Sequence, residues 1–150
     1  MRQIKHIGSY GLILQDNNIL LIKKNGGPYD GKLDLPGGTI EFNETPEEAL
    51  VRELKEEVGI IPTKYYLFDG NSVNIKWVHK GEEEEICHMG FFYMIEEFLG
   101  NIEKNIEITE INDDSKGAEF YNIKELAEEE LSSIANIEVK KILSSLHINK

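Results

Sequence analysis

Two short apolar runs near the start of the chain predict a β-hairpin. Tyr10–Gln15 and Ile19–Lys23 are rich in Ile and Leu, and the turn formers Asp16-Asn17-Asn18 separate them. The next segment, Asn25–Gly31, is dense in Gly, Asn, Asp and Pro, which predicts a loop. Such a loop can form the rim of a ligand site, although most loops of this composition only connect neighbouring elements.

The pattern that follows predicts one helix with well-defined ends. Thr45 suits the N-cap, with Pro46 at the first helical position and Glu48 at the third, which is the spacing of a capping box. Gly59 suits the position just beyond the C-terminus. The helix also carries an apolar stripe at i, i+4 and i+8 that should face a sheet, formed by Leu50, Leu54 and Val58.

The middle of the chain predicts a sheet with one central strand. Strands are expected at Thr63–Phe68, Val73–Lys80 and Glu84–Ile95, with turns at Asp69-Gly70-Asn71 and Lys80-Gly81. From Met89 to Ile95 both alternating faces are apolar, apart from Gly90. This pattern is typical of a strand covered on both sides, as in an α/β/α sandwich.

The last third of the chain predicts a loop, a short strand and two helices. Asn101–Lys116 is polar and predicts a loop, and Glu119–Ile123 predicts a short strand. Helices are expected at Lys124–Leu131 and at Ile137–Leu146. The second of these is amphipathic, with an apolar side formed by Val139, Ile142, Leu143 and Leu146.

Composition limits the class of protein. A chain of 150 residues with 40% hydrophobic content is expected to form one globular domain over residues 1–150. The net charge of −12 argues against a general nucleic-acid binder, which needs Lys and Arg at phosphates. Cys87 is the only cysteine, so no intrachain disulfide and no Cys-rich zinc site is expected. With neither a signal peptide nor a membrane-length apolar run, we expect a cytoplasmic protein.

Three carboxylates share one face of the predicted helix. Glu53, Glu56 and Glu57 stand at i, i+3 and i+4, where like charges repel. A divalent cation would neutralise them, and hard oxygen ligands suit Mg²⁺ or Mn²⁺. The simpler interpretation is a solvated acidic face tethered by Arg52 and Lys55.

The spacing of the surrounding residues favours a metal site. The segment GTIEFNETPEEALVRELKEEVGI resembles the signature of the Nudix (MutT-like) hydrolases, Gly-x5-Glu-x7-Arg-Glu-U-x-Glu-Glu-x-Gly-U, in which U is a bulky aliphatic residue. Every specified position is filled, by Gly38, Glu44, Arg52, Glu53, Leu54, Glu56, Glu57, Gly59 and Ile60. Leu35-Pro36-Gly37-Gly38 is similar to the lead-in of that family, and the clear resemblance covers Leu35–Pro62.

The resemblance implies a fold, a reaction and a set of site residues. The fold would be a Nudix-type α/β/α sandwich with a central mixed sheet. The metal ligands would be the Gly37 carbonyl and the three helix carboxylates, Glu53, Glu56 and Glu57. One carboxylate would serve as general base, and which one stays open. Gly38, Glu41, Glu44 and Arg52 would support the site, with an Arg52–Glu44 ion pair anchoring the loop to the helix. For Glu41 the role of a metal ligand stays open as well.

The implied reaction is metal-dependent hydrolysis of a P–O–P bond in a nucleoside diphosphate linked to another group. Nucleoside or deoxynucleoside triphosphates are the first choice of substrate. ADP-ribose and other nucleotide sugars, dinucleoside polyphosphates and RNA ends stay open, as does a nucleotide sensor without turnover. The expected partner is a small-molecule nucleotide rather than nucleic acid or a membrane. The sequence leaves the oligomeric state open, a homodimer included, and identifies no substrate-binding residue.

Residues outside the motif carry simpler interpretations. Glu82–Glu85 is expected to be a solvated turn, and Cys87 and His88 are expected to be core or lining residues. Adjacent strand residues point to opposite faces, which argues against a nucleophilic Cys-His pair. The aromatic residues Tyr29, Phe68 and Trp77 can stack on a base, but core packing is the simpler reading. The polar loop offers one further candidate metal ligand, among Glu103, Glu107 and Glu110.

Two positions depart from the usual pattern of the family. Leu33 stands where many relatives have Trp, and this difference is expected to alter the substrate rim. Asn43 replaces a common Gly before Glu44, which is a mild change because Asn tolerates the left-handed conformation.

Overall fold

The computed structural model describes residues 1–102 and 115–148. Its elements, in chain order, are β1 (Arg2–Leu12), β2 (Leu14–Gln15), β3 (Asn18–Lys24), β4 (Leu33–Asp34), β5 (Gly37–Thr39), α1 (Pro46–Val58), β6 (Ile61–His79), β7 (Glu82–Leu99), β8 (Ser115–Asn122), a 3-10 turn (Glu128–Glu130) and α2 (Ser133–Ile148).

The described strands form two sheets. The first has the order β5-β1-β7-β6, and in the second β3 lies between β8 and β4 and also pairs with β2. The β1–β7 pair is parallel, whereas β5 and β6 add to it in antiparallel orientation. The predicted mixed sheet is therefore confirmed, with the strands divided between two sheets.

Alternating side chains of β3 show why the fold is a sandwich. Leu20 and Ile22 join the core under α1, together with Leu54. Ile19 and Leu21 join a second core, which packs under α2. Because neighbouring strand residues point to opposite faces, one short apolar run supplies both cores. The predicted α/β sandwich is confirmed.

The predicted central strand lies within β7, between β1 and β6. Phe92 joins the core on the α2 side, and Tyr93 and Ile95 join the core on the α1 side. Met89 is 39% exposed, so coverage on both sides begins later than predicted.

Helix α1 has the ends that its sequence predicts. The Thr45 side chain accepts a hydrogen bond from the Glu48 N–H at 3.1 Å, and the Glu48 carboxylate accepts one from the Thr45 N–H at 3.0 Å. Gly59 follows with φ 76°, a left-handed conformation that glycine adopts at little cost. The predicted apolar stripe is fully buried, at Leu50, Leu54 and Val58.

Two predictions in the strand region need correction. In the predicted hairpin, Leu14–Gln15 pairs with β3 and the Ile13 carbonyl accepts from the Leu20 N–H, whereas the chain from Tyr10 to Leu12 belongs to β1 in the other sheet. The predicted turn at Asp69-Gly70-Asn71 is wrong, since β6 continues through it with a register irregularity after Leu67. A bulge absorbs the extra residue and keeps both halves paired with β7.

The predicted helix at Lys124–Leu131 is also wrong. Only Glu128–Glu130 forms a single 3-10 turn there, and none of its residues is buried. Helix α2 begins at Ser133, four residues earlier than predicted, and the Ser132 hydroxyl accepts from the Ala135 N–H at 3.2 Å. Val139 and Ile142 are buried as expected, whereas Leu146 is 38% exposed.

The predicted polar loop lies mostly outside the described residues. Strand β8 already begins at Ser115, within the range predicted as loop, and includes the predicted strand from Glu119 as far as Asn122. In the part of the chain that the structure describes, no helix is both long and apolar enough to cross a membrane.

Candidate active site

A cavity of about 420 Å³ is lined by residues of α1, β5 and the neighbouring strands. Glu53 and Glu57 of α1 lie on one side of it, next to residues 37–39 of β5. The loop at residues 24–29 borders its mouth. The strands contribute the remaining wall, which consists of the acidic Asp34 and of His6, Tyr10, Ile75, Ile86 and His88.

Arg52 ties the loop before α1 to the helix. Its Nε and Nη2 atoms donate to the two carboxylate oxygens of Glu44, at 2.7 and 2.8 Å. Its Nη2 also donates to the Thr39 carbonyl at 3.0 Å. The Arg52 bonds to Glu44, with one from the Glu41 N–H, lower the pKa of Glu44 to about 2. The predicted Arg52–Glu44 ion pair is confirmed, and it is bidentate, the strong form of this interaction.

The turn before Glu44 adopts the backbone that its sequence allows. Asn43 has φ 67°, so the predicted left-handed conformation is confirmed. The Glu41 carboxylate lies 3.8 Å from the Arg52 guanidinium, and its side chain is 67% exposed. Glu41 therefore stands at the outer edge of the Arg52 network, not in the cavity lining.

Glu53 and Glu57 are each held against β5. Arg52 Nη1 donates to Glu53 Oε1 at 2.8 Å. The backbone N–H of Gly37 donates to Glu57 Oε1 at 3.0 Å. A Cβ on Gly38 would stand 2.6 Å from the carboxyl carbon of Glu53, so only glycine lets the strand approach this close.

Glu56 is placed differently from the other two helix carboxylates. Its side chain is 62% exposed and lies 3.5 Å from Arg52 Nη1, and it does not line the cavity. Within residues 1–102 and 115–148, no three Asp, Glu, His or Cys side chains stand close enough to hold a metal ion among them.

The oxygen donors at the cavity nevertheless fit a hard divalent cation. Mg²⁺ usually binds through one or two carboxylates, and substrate phosphates and water complete its six ligands. Glu53 and Glu57 supply two carboxylates on one wall, beside the backbone of Gly37. The residues that would hold a metal are therefore the predicted ones on the helix, with Glu56 at the margin.

A buried histidine forms the opposite wall. His88 Nε2 lies 2.6 Å from the Tyr10 hydroxyl, and His88 Nδ1 lies 2.9 Å from the Tyr29 hydroxyl. The His6 ring stacks on His88, with centroids 4.6 Å apart. Burial is the main cause that lowers the pKa of His88 to about 3, so the ring is neutral at pH 7. The predicted core or lining place of His88 is confirmed.

Asp34 connects this wall to the second helix. It is 4% exposed, and its Oδ1 accepts from the Leu35 N–H at 2.9 Å and from the Ser132 hydroxyl at 2.7 Å. After burial, its negative charge is the next cause that raises the pKa of Tyr10 and of Tyr29.

Sequence reasoning missed Asp34, His6 and Tyr10 as parts of this wall. Tyr10 and His88 are 78 residues apart, and Tyr29 and His88 are 59 apart. No local pattern marks such a cluster. The parallel register that pairs His6 with His88 would have been needed to find it.

The remaining predicted residues lie elsewhere. Trp77 donates to Glu84 at 3.1 Å, and Phe68 packs against the core on the α2 side. Glu84 is 5% exposed, so the predicted solvated turn is wrong at this position. Leu33 is buried in the core, not at a rim. Glu103, Glu107 and Glu110 lie outside the described residues.

Comparisons with known proteins identify the family of the chain. The model of the NUDIX domain family matches residues 5–141. Over 116 residues, or 77% of this chain, the sequence is 37% identical to an ADP-ribose pyrophosphatase of Methanocaldococcus jannaschii. Over 61 residues, or 39% of this chain, it is 48% identical to an 8-oxo-dGTP diphosphatase of Escherichia coli. The matched segments span 61% and 47% of these two relatives' own lengths.

A solved structure shows the same fold over most of the chain. The crystal structure of a MutT NUDIX hydrolase from Burkholderia pseudomallei superposes with a TM-score of 0.71 and 26% identity. The match covers 91% of this chain and 96% of that one. The family model and the fold agree with the filled motif at residues 38–60, and the chain belongs to the NUDIX domain family.

Proposed function

We propose that the protein is a metal-dependent hydrolase of a P–O–P bond in a nucleoside diphosphate linked to another group. One observation carries this proposal: Glu53, Glu57 and Gly37 line the same cavity as the rings of Tyr10, Tyr29 and His88. Carboxylates suit a cation that binds phosphates, and flat uncharged rings suit a nucleobase. A cavity of about 420 Å³ is within the usual range for a small-molecule site.

Mg²⁺, or Mn²⁺ in its place, is the proposed cofactor. When bound, such an ion neutralises the polyphosphate and makes a bound water more acidic. The chain's own contribution is to hold the ligands in place. Arg52 fixes Glu53, and the Gly37 N–H fixes Glu57. One of the three helix glutamates would accept the proton of the attacking water.

Nucleoside or deoxynucleoside triphosphates are the proposed substrates. The E. coli relative is named for such a substrate. ADP-ribose is the second candidate, because the relative named for it matches twice as much of this chain. The single-domain organisation and the cytoplasmic location stay predictions.

A hydrolysis screen tests the proposal. The protein is incubated with Mg²⁺ and a panel of triphosphates, nucleotide sugars and dinucleoside polyphosphates, and the products are identified by ion-exchange chromatography. We expect Mg²⁺-dependent release of a nucleoside monophosphate, abolished by EDTA. Binding of nucleotides without any product would instead identify a sensor.

Two variants test the site. Glu53→Gln and Glu57→Gln remove one negative charge each and keep the side-chain shape, so hydrolysis should fall by at least about 100-fold. Glu47→Gln is the control, since Glu47 is an exposed glutamate of the same helix that does not line the cavity. If folded Glu57→Gln hydrolyses nucleotides as fast as the wild type, the metal-site assignment is wrong.

A further inference from the structure

We propose that His88 is a positioning residue that clamps the loop of residues 25–31 over the cavity through Tyr29. We call this segment the glycine loop, because it contains Gly26, Gly27 and Gly31. The inference rests on the proposed function, because it assigns the glycine loop to substrate binding at the same site. Tyr10 completes the clamp by holding His88 from the other side.

Two hydrogen bonds shape the glycine loop, one within the loop and one to the preceding residue, Lys24. The Gly26 N–H donates to Asp30 Oδ1 at 2.7 Å, and the Gly31 N–H donates to the Lys24 carbonyl at 3.0 Å. These bonds fix the curvature of the loop but do not join it to β7. The contact that does so is the 2.9 Å hydrogen bond between the Tyr29 hydroxyl and His88 Nδ1.

Tyr29 differs from its neighbours in burial. It is 8% exposed, whereas Gly26, Gly27, Pro28, Asp30 and Gly31 are all exposed. One buried ring therefore anchors an otherwise exposed loop. The exposed residues Gly26, Gly27 and Pro28 also line the cavity. The buried Tyr29 ring therefore fixes the position of this part of the cavity wall.

A neutral imidazole is suited to bridge two tyrosines. It has one N–H donor and one bare nitrogen that accepts, so each ring nitrogen of His88 can satisfy one hydroxyl. One tyrosine then donates to His88, and the oxygen of the other accepts from it. Burial lowers the pKa of His88, which keeps this arrangement intact throughout the neutral pH range.

The backbone makes room for the second tyrosine. A Cβ on Gly8 would collide with the ring and hydroxyl of Tyr10, so the Tyr10 side chain lies flat over Gly8. Gly8 pairs with Gly90 across β1 and β7, and the Phe92 ring lies over Gly90 in the same way. The space left by these two glycines lets the Tyr10 side chain lie along the strand, so that its hydroxyl reaches His88 Nε2 at 2.6 Å.

The clamp should act on substrate binding rather than on the chemical step. The carboxylates are held by Arg52 of α1 and by the Gly37 N–H of β5, independently of Tyr29. Releasing the glycine loop would therefore weaken contacts between the loop and the substrate that are equally strong in the ground state and in the transition state. Such a loss raises KM and leaves kcat unchanged.

The first test is a kinetic series. Tyr29→Phe deletes one hydroxyl and should raise KM for the best nucleotide roughly 3- to 10-fold, the worth of one hydrogen bond, with kcat within about 2-fold. His88→Leu should do the same, and His88→Gln should restore part of the loss because its amide keeps a donor and an acceptor. Tyr66→Phe, at an exposed tyrosine of β6, is the control.

The second test does not need activity. Trypsin should cut after Lys24 or Lys32 faster in Tyr29→Phe than in the wild type or in Tyr66→Phe, as judged by mass spectrometry of the first fragments. The double variant Tyr29→Phe/His88→Leu should be no faster than the worse single variant, because both remove the same contact.

The outcomes separate the two proposals. If the wild type hydrolyses no nucleotide, the proposed function fails, and trypsin still decides whether the clamp exists. Unchanged KM together with unchanged cleavage in Tyr29→Phe overturns the clamp. A fall in kcat at unchanged KM also overturns it, because Tyr29 would then act on the reacting atoms directly.

Discussion

Replacing Glu138 by glutamine removes a buried carboxyl group from the face of α2 that packs on β6. Glu138 is 0% exposed, and among the described residues neither of its carboxylate oxygens has a hydrogen-bond partner. The nearby Asp69 carboxylate is occupied by Lys141, whose Nζ lies 2.6 Å from Asp69 Oδ2. An ionised Glu138 would therefore be a buried charge beside another carboxylate, and Lys141 and Asn71 offset only part of that cost.

The size of the effect follows from the pKa. Burial first, and then the neighbouring Asp69, raise the pKa of Glu138 from 4.5 to about 8. Between these two values the folded protein keeps the proton and the unfolded chain has lost it, so stability decreases as pH rises. Each pH unit in this window costs about 1.4 kcal/mol of unfolding free energy, which gives at most about 4 kcal/mol from pH 5 to pH 8.

Urea unfolding at pH 5, 6, 7 and 8 measures this slope. The wild type should lose stability across the series by about 2 to 4 kcal/mol more than Glu138→Gln does. Glutamine adds its own buried amide, but that cost is the same at every pH and leaves the slope difference intact. Glu125→Gln, at an exposed glutamate before α2, is the control and should follow the wild type. Parallel curves for the wild type and Glu138→Gln would refute the reasoning.

Three further substitutions test the site and its helix. Gly38→Ala should lower hydrolysis by about 100-fold with little change in the urea midpoint, because its Cβ displaces the Glu53 carboxylate and not the backbone. Arg52→Lys should lower hydrolysis roughly 10- to 100-fold, since one ammonium cannot replace the bidentate bond to Glu44 and the bond to Glu53. Thr45→Ala removes the N-cap of α1 and should cost about 1 kcal/mol in urea unfolding, with KM unchanged. An unaltered rate in the first two, or an unaltered midpoint in the third, would contradict the roles assigned here.

The parts of the fold that the sequence predicts well are those fixed by neighbours in the chain. Helix α1 is the clearest case, because its cap, its apolar stripe and its terminal glycine lie within 15 residues of one another. The ion pair between Glu44 and Arg52 is predictable for the same reason.

Two of the wrong predictions have a common physical cause. At Asp69-Gly70-Asn71 the local turn preference gives way to continuous pairing of β6 with β7. At Lys124–Leu131 the acidic segment has no described buried face long enough to stabilise a helix, and only a 3-10 turn forms. In both places long-range packing decides against local propensity.

The candidate site also has one part that local sequence predicts and one part that depends on long-range packing. The positions of the carboxylates can be predicted from their spacing on one helix. Which residues form the wall opposite them depends on the register of the sheet. Tyr10, Tyr29 and His88 come from three separate elements, and only the parallel pairing of β1 with β7 brings His6 beside His88. Nothing local in the sequence specifies that pairing.

The close association of Gly37, Gly38, Arg52, Glu53 and Glu57 has a consequence for how such a protein can change. All five belong to one continuous stretch of 21 residues, and each of them contacts another member of the group. The facing wall is assembled from distant segments, including Ile75 on β6 and Ile86 on β7. Substitutions at Ile75 or Ile86 can therefore change the shape of the cavity, and with it the ligand specificity, without changing the positions of the carboxylates.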